Sequence, residues 1–173
     1  KRKGQMDAVQ FLKQLIDLGI DSHLILAGRT GDKDYFTDVV SAIENYGLTD
    51  RVEIKPMLST EELVGEYHKT DICFFPSYYR TGFSRVPLEA MACGCIVISY
   101  GNEGSDEIIK TGINGFIVQT GNYQDIIKIL FHLWKSKKLK EKIISNIKLE
   151  IEKKSSMLEY LNQIHFFLKS QEL

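Results

Sequence analysis

Short, unbroken apolar runs alternate with amphipathic stretches along most of the chain, and this alternation restricts it to strand, crossover helix, strand units of a parallel sheet. The runs occupy residues 23–27, 52–54, 72–75, 96–99 and 115–118. A strand covered by helices on both faces must be apolar in both directions, so continuity of hydrophobicity, not alternation, marks it. Helical period connects the runs: Met6, Val9, Leu12, Leu15 and Ile16; Phe36, Val39, Val40 and Ile43; Leu63 and Tyr67; Leu88, Met91 and Ala92; Ile108 and Ile109. Ser59-Thr60-Glu61-Glu62 predicts a capping box, and Gly47 and Gly94 stand where a left-handed residue would end a helix. From Tyr123 the pattern is helical, with breaks expected near Lys135-Ser136-Lys137 and near Lys154-Ser155-Ser156. Met157, Leu161, Ile164 and Leu168 then form one apolar stripe. The fold class is therefore α/β, a Rossmann-like doubly wound parallel sheet with a helical C-terminal tail.

Composition agrees with one soluble domain over residues 1–173. At 43% hydrophobic and 26% charged residues, a chain of this length buries roughly 70% of its unfolded surface and needs no disulfide or metal to hold it together. Lys plus Arg number 22 and Asp plus Glu 23, so no overall field draws the protein to nucleic acid or an acidic membrane, and any bound anion must be held locally. Cys73 lies inside an apolar run and Cys93 and Cys95 flank Gly94, positions of small buried hydrophobes. No second Cys or His pair stands at ligand spacing, so no metal site is expected. His23, His68, His132 and His165 are scattered and read as structural. No apolar run reaches the length of a membrane span, and the expected setting is reducing and cytoplasmic.

Residues 76–94 carry the chemistry: Pro-Ser-Tyr-Tyr-Arg-Thr-Gly-Phe-Ser-Arg-Val-Pro-Leu-Glu-Ala-Met-Ala-Cys-Gly. The stretch leaves a buried strand and opens a helix. In an open parallel sheet, ligands lie beyond the carboxyl ends of the strands, where such loops present unpaired amides at positive helix termini. Gly82 lets the backbone approach a ligand, Pro87 suits a first helical turn, and Arg80 and Arg85 bracket the loop. Taken alone, the stretch is equally a tight loop with two solvated arginines.

Pro76-Ser77, Gly82-Phe83 and Leu88-Glu89-Ala90-Met91-Ala92-Cys93-Gly94 resemble, in order, the pattern of the C-terminal, donor-binding half of the GT-B glycosyltransferases of family four. The form 79–86, Tyr-Arg-Thr-Gly-Phe-Ser-Arg-Val, is similar to the subgroup that builds bacterial surface polysaccharides. The resemblance implies a retaining, hexosyltransferase-type enzyme using a UDP- or GDP-sugar, with no metal or other cofactor. It implies as partners a glycan or lipid-linked acceptor and the protein's own N-terminal acceptor domain. By the same resemblance Lys3 contacts the diphosphate, Lys55-Pro56-Met57 wraps the base through main-chain groups, Glu89 holds the ribose hydroxyls, and the amides of Phe83, Ser84 and Arg85 face sugar and phosphate. Lys135, Lys137, Lys138, Lys140 and Lys142 form a solvated face or, at most, a peripheral membrane contact.

Three departures stand out. Thr81 replaces a glutamate that in relatives contacts the donor sugar, which leaves open a catalytically degenerate nucleotide-sugar-binding or scaffolding module. A family Gly-Gly appears as Glu103-Gly104, while Glu107 keeps a family glutamate position or caps a helix. The strand expected before the first helix is not in the sequence, so the chain is read as part of a protein about twice as long, with a gap in its sheet and no turnover of its own.

Overall fold

The computed structural model describes residues 3–80 and 82–170, with side chains as far as residue 153. All five apolar runs form strands: β1 (Leu24–Ala27), β2 (Val52–Lys55), β3 (Ile72–Phe75), β4 (Ile96–Ser99) and β5 (Phe116–Ile117). They are parallel but form two sheets, β1-β2 and β3-β4-β5. Helices α1 (Gln5–Asp17), α2 (Lys33–Asn45), α3 (Thr60–His68), α4 (Val86–Ala92), α5 (Ser105–Ile108), α6 (Tyr123–Lys135) and α7 (Lys137–Ser170) complete the chain.

The central strand shows why continuous hydrophobicity predicted it. Ile96, Val97 and Ile98 are fully buried, so side chains on both faces of β4 meet helices. Burying each is worth about 1.5–3 kcal/mol. One side packs with Met91 of α4 and Ile143 and Ile147 of α7. On the other, Ile98 meets Phe11 of α1 and Ile126 of α6. A further cluster joins Val9 and Leu12 of α1 to Val39 and Ile43 of α2 around Leu48.

Local signals act as their chemistry requires. Ser59 Oγ accepts from the Glu62 amide, and the Glu62 carboxylate accepts from the Ser59 amide at 2.7 Å, so the predicted capping box is present. Gly47 and Gly94 adopt φ of 65° and 90°. The chain breaks at Ser136, whose hydroxyl accepts from the Leu139 amide. The second expected break does not occur: α7 runs continuously through Lys154-Ser155-Ser156. Lysine is a good helix former and serine a tolerable one, and without Gly or Pro nothing there forces the helix to stop. The side chains of the stripe Met157, Leu161, Ile164 and Leu168, and that of His165, lie outside the described ones. Among the described residues no helix is long and apolar enough to cross a membrane.

Candidate functional site

Because β3 and β4 pair in register, with Phe75 opposite Ser99, the loops that leave their carboxyl ends start side by side. Hydrogen bonds fix each loop to the other. Asn102 Nδ2 donates to the Ser77 carbonyl at 2.7 Å, and the Ser84 amide donates to the Glu103 carbonyl at 3.0 Å. Within the second loop, the buried Ser99 and Ser105 hydroxyls bond at 2.7 Å and the Gly101 amide donates to Ser99 Oγ. The Phe83 ring rests on Gly104, where an added Cβ would lie 2.5 Å from the ring.

The start of α1 supplies the third wall. Gly4 takes φ +68° at the N-cap, and an added Cβ would overlap the Pro76 carbonyl and lie 2.8 Å from the proline Cβ. This close approach sets Lys3 above the loop, its ammonium 5.5 Å from the Phe75 ring centroid and 5.7 Å from that of Tyr79. The ammonium donates to both carboxylate oxygens of Glu103, at 2.7 and 2.6 Å. Glu103 is 12% exposed against 46% for Lys3. Its φ of 53° makes it the one non-glycine residue with positive φ among the described residues.

One turn along α1, the buried Asp7 carboxylate accepts from Tyr78 Oη at 2.7 Å and Tyr100 Oη at 2.6 Å, one phenol from each loop. The two rings meet edge to face, 5.5 Å apart. Burial first, and the Asp7 carboxylate second, push both phenols well above the usual tyrosine range. Sequence reasoning missed Asp7, although one signal was present. Asp7 and Phe11 are four apart, so the carboxylate sits on the same helix stripe as a buried ring.

The other predicted residues are distributed as follows. Glu89 lies in the first turn of α4, half-buried, with Arg85 Nε 3.7 Å from its carboxylate. Gly82 takes φ 93°, while Phe83 and Arg85 are exposed. The Ser84 amide, expected to face ligand, is engaged by Glu103. Thr81 lies outside the described residues. Lys55, Pro56 and Met57 stand at the end of β2, in the other sheet. The Lys55 carbonyl accepts from the Gly28 amide at 3.2 Å, and its ammonium pairs with Glu66 at 2.9 Å and Glu53 at 3.2 Å. Glu66, foremost, raises the lysine pKa and is itself held below the usual carboxylate range. Met57 is exposed, its sulfur accepting from Arg29 Nε. Glu107 is exposed and the N-cap of its helix, Gly104, receives no side-chain cap. Lys137 and Lys140 pair with Glu141 and Asp71, and Lys135 lies over the Trp134 ring.

A cleft lined by His68, Cys93, Gly94 and Lys148 lies at the C-terminal ends of α3 and α4, the edge away from these loops. At the carboxyl edge, the Lys3 ammonium stands over the end of β3, and the glycine-bearing loop that follows β3 leads to a half-buried glutamate, Glu89, on the start of α4. That grouping can hold an anion attached to a hydroxylated group.

Parallel α/β layers with their working loops at this edge constitute one half of a GT-B glycosyltransferase fold. Residues 1–150 match the model of the Glycosyl transferases group 1 family, and the chain belongs to that family. It is 25% identical over 176 residues to the capsular polysaccharide biosynthesis glycosyltransferase CapM of Staphylococcus aureus, covering 99% of this chain and 45% of that protein. It is 32% identical over 110 residues to a D-inositol 3-phosphate glycosyltransferase of Arthrobacter sp. (strain FB24), covering 62% of this chain and 25% of the relative. The crystal structure of Anabaena Alr3699/HepE in complex with UDP superposes with a TM-score of 0.81 at 25% identity, over 98% of this chain and 46% of that one. The chain thus spans less than half the length of these relatives.

Proposed function

We propose that this chain is the donor-binding half of a retaining hexosyltransferase that takes a UDP- or GDP-sugar and delivers the sugar to a glycan or lipid-linked acceptor in polysaccharide biosynthesis. The observation that carries the reading is that Lys3 lies over Phe75 at the carboxyl end of β3, where the chain enters the glycine-bearing loop that leads to Glu89 in the first turn of α4. The UDP complex of the Anabaena neighbour and the capsular polysaccharide role in the name of the Staphylococcus relative support it.

In this reading Lys3 neutralises the diphosphate as a point charge and Glu89 accepts from the vicinal ribose hydroxyls. With the Ser84 amide engaged by Glu103, the Phe83 and Arg85 amides face the sugar and the second phosphate. Charge that develops on the departing diphosphate is met by these fixed donors, with no metal ion required. Lys55, Pro56 and Met57 approach the base. The acceptor and its binding domain belong to the remainder of a longer protein, working at the cytoplasmic side with at most peripheral membrane contact.

Calorimetric titration of the full-length protein with UDP, GDP and ADP tests this. One nucleotide should bind, and Glu89→Ala should weaken it by roughly 10- to 100-fold, the loss expected for charge-assisted hydrogen bonds to a diol. Unchanged affinity and unchanged transfer in Glu89→Ala would refute the ribose assignment.

A further inference from the structure

We propose that Glu103 is a built-in competitor for the diphosphate site: its carboxylate holds the Lys3 donors that a nucleoside diphosphate must take over. The proposal rests on the reading of Lys3 as the diphosphate contact. Both Glu103 oxygens lie within 2.7 Å of the lysine nitrogen, so the pair commits two of its three N–H donors to one partner. At 12% exposure the carboxylate is poorly screened by water, and Lys3 is the one cation paired with it among the described residues.

The position is imposed by the backbone. Glu103 stands at φ 53°, a conformation side-chain-bearing residues rarely adopt. Its carbonyl is held by the Ser84 amide, and the following Gly104 lies under the Phe83 ring. The carboxylate is therefore aimed at Lys3 by the same turn that ties the two ligand loops together, and it leaves by rotating its side chain while the turn stays in place. A ligand carrying two phosphates outcompetes a single carboxylate for the ammonium. An uncharged nucleoside cannot, and bound without displacing Glu103 it is indifferent to it.

Glu103→Gln in the full-length protein should tighten UDP or GDP binding roughly two- to fivefold, the range for a partly exposed ion pair, with the gain shrinking at high salt. Binding of uridine or guanosine should not change. Glu103→Gly, which accepts the positive φ without strain, should show the same gain, and Glu103→Asp, which keeps the charge, should stay near the native affinity. In a Lys3→Met background the gain from Glu103→Gln should vanish. If Lys3→Met weakens diphosphate binding but both neutral variants leave it unchanged or weaker, Glu103 does not compete and the proposal fails alone. If Lys3→Met changes nothing, the diphosphate role of Lys3 falls and takes the proposal with it.

Discussion

Replacing Asp7 by alanine should cost about 3 kcal/mol of stability, most of it from one phenol. The carboxylate accepts from two hydroxyls, but their surroundings differ: Tyr100 is 6% exposed whereas Tyr78 is 42% exposed. Stripped of its acceptor, the buried Tyr100 hydroxyl bears the larger cost, about 2 kcal/mol, while the more exposed Tyr78 can turn outward at about 1 kcal/mol. For a domain of this size that corresponds to a fall in melting temperature of about 6–12 °C. Calorimetry on Asp7→Ala, Tyr100→Phe and the double variant measures it, and Asp7→Asn, which keeps an acceptor, should lose less. The cycle decides the matter: the two single losses must overlap, because both break one bond. Strict additivity of Asp7→Ala and Tyr100→Phe would refute the reasoning.

Gly4→Ala should destabilise the domain by about 2 kcal/mol or more, since the methyl meets the Pro76 carbonyl on a positive-φ backbone; nucleotide affinity should fall with it because Lys3 is displaced. The outcome is read by thermal melts and titration of the same variant. Alkaline pH should also weaken the fold. Burial foremost, then Asp7, raise the Tyr78 and Tyr100 pKa values, so above pH about 10 the unfolded chain releases protons that the native state retains. The stability is complete below that pH and declines as it rises further, and Tyr100→Phe should flatten the decline in a pH series of denaturation curves.

Much of the fold was legible because it is written in local or one-dimensional signals. The strand β4 is buried on both faces, so its residues had to be apolar whatever the helices around it do. The capping box at Ser59 lies within four residues and needs no tertiary information. The expected stop at Lys154-Ser155-Ser156 is absent because polar residues do not by themselves end a helix where neither Gly nor Pro forbids it. The candidate site was legible as a stretch, residues 76–94, but not as an arrangement. Asp7 meets Tyr78 and Tyr100 across 71 and 93 positions, and Lys3 meets Glu103 across 100. Pairings at that distance leave no spacing to read. Even the left-handed turn at Glu103, which aims its carboxylate, is occupied by a residue whose type gives no hint of it.

Helix α1 contributes Val9 and Leu12 to the cluster beside β1 and β2, and Phe11 to the cluster beside β4. Helix α1 thus packs on both groups of strands, and α3 does the same, with Glu66 paired to Lys55 at the end of β2 and Tyr67 packed against the cluster around Ile96 and Val97. Substitutions in α1 that loosen one of these clusters should raise amide exchange first in the strands that cluster covers, β1 and β2 for Val9 or Leu12 and β4 for Phe11.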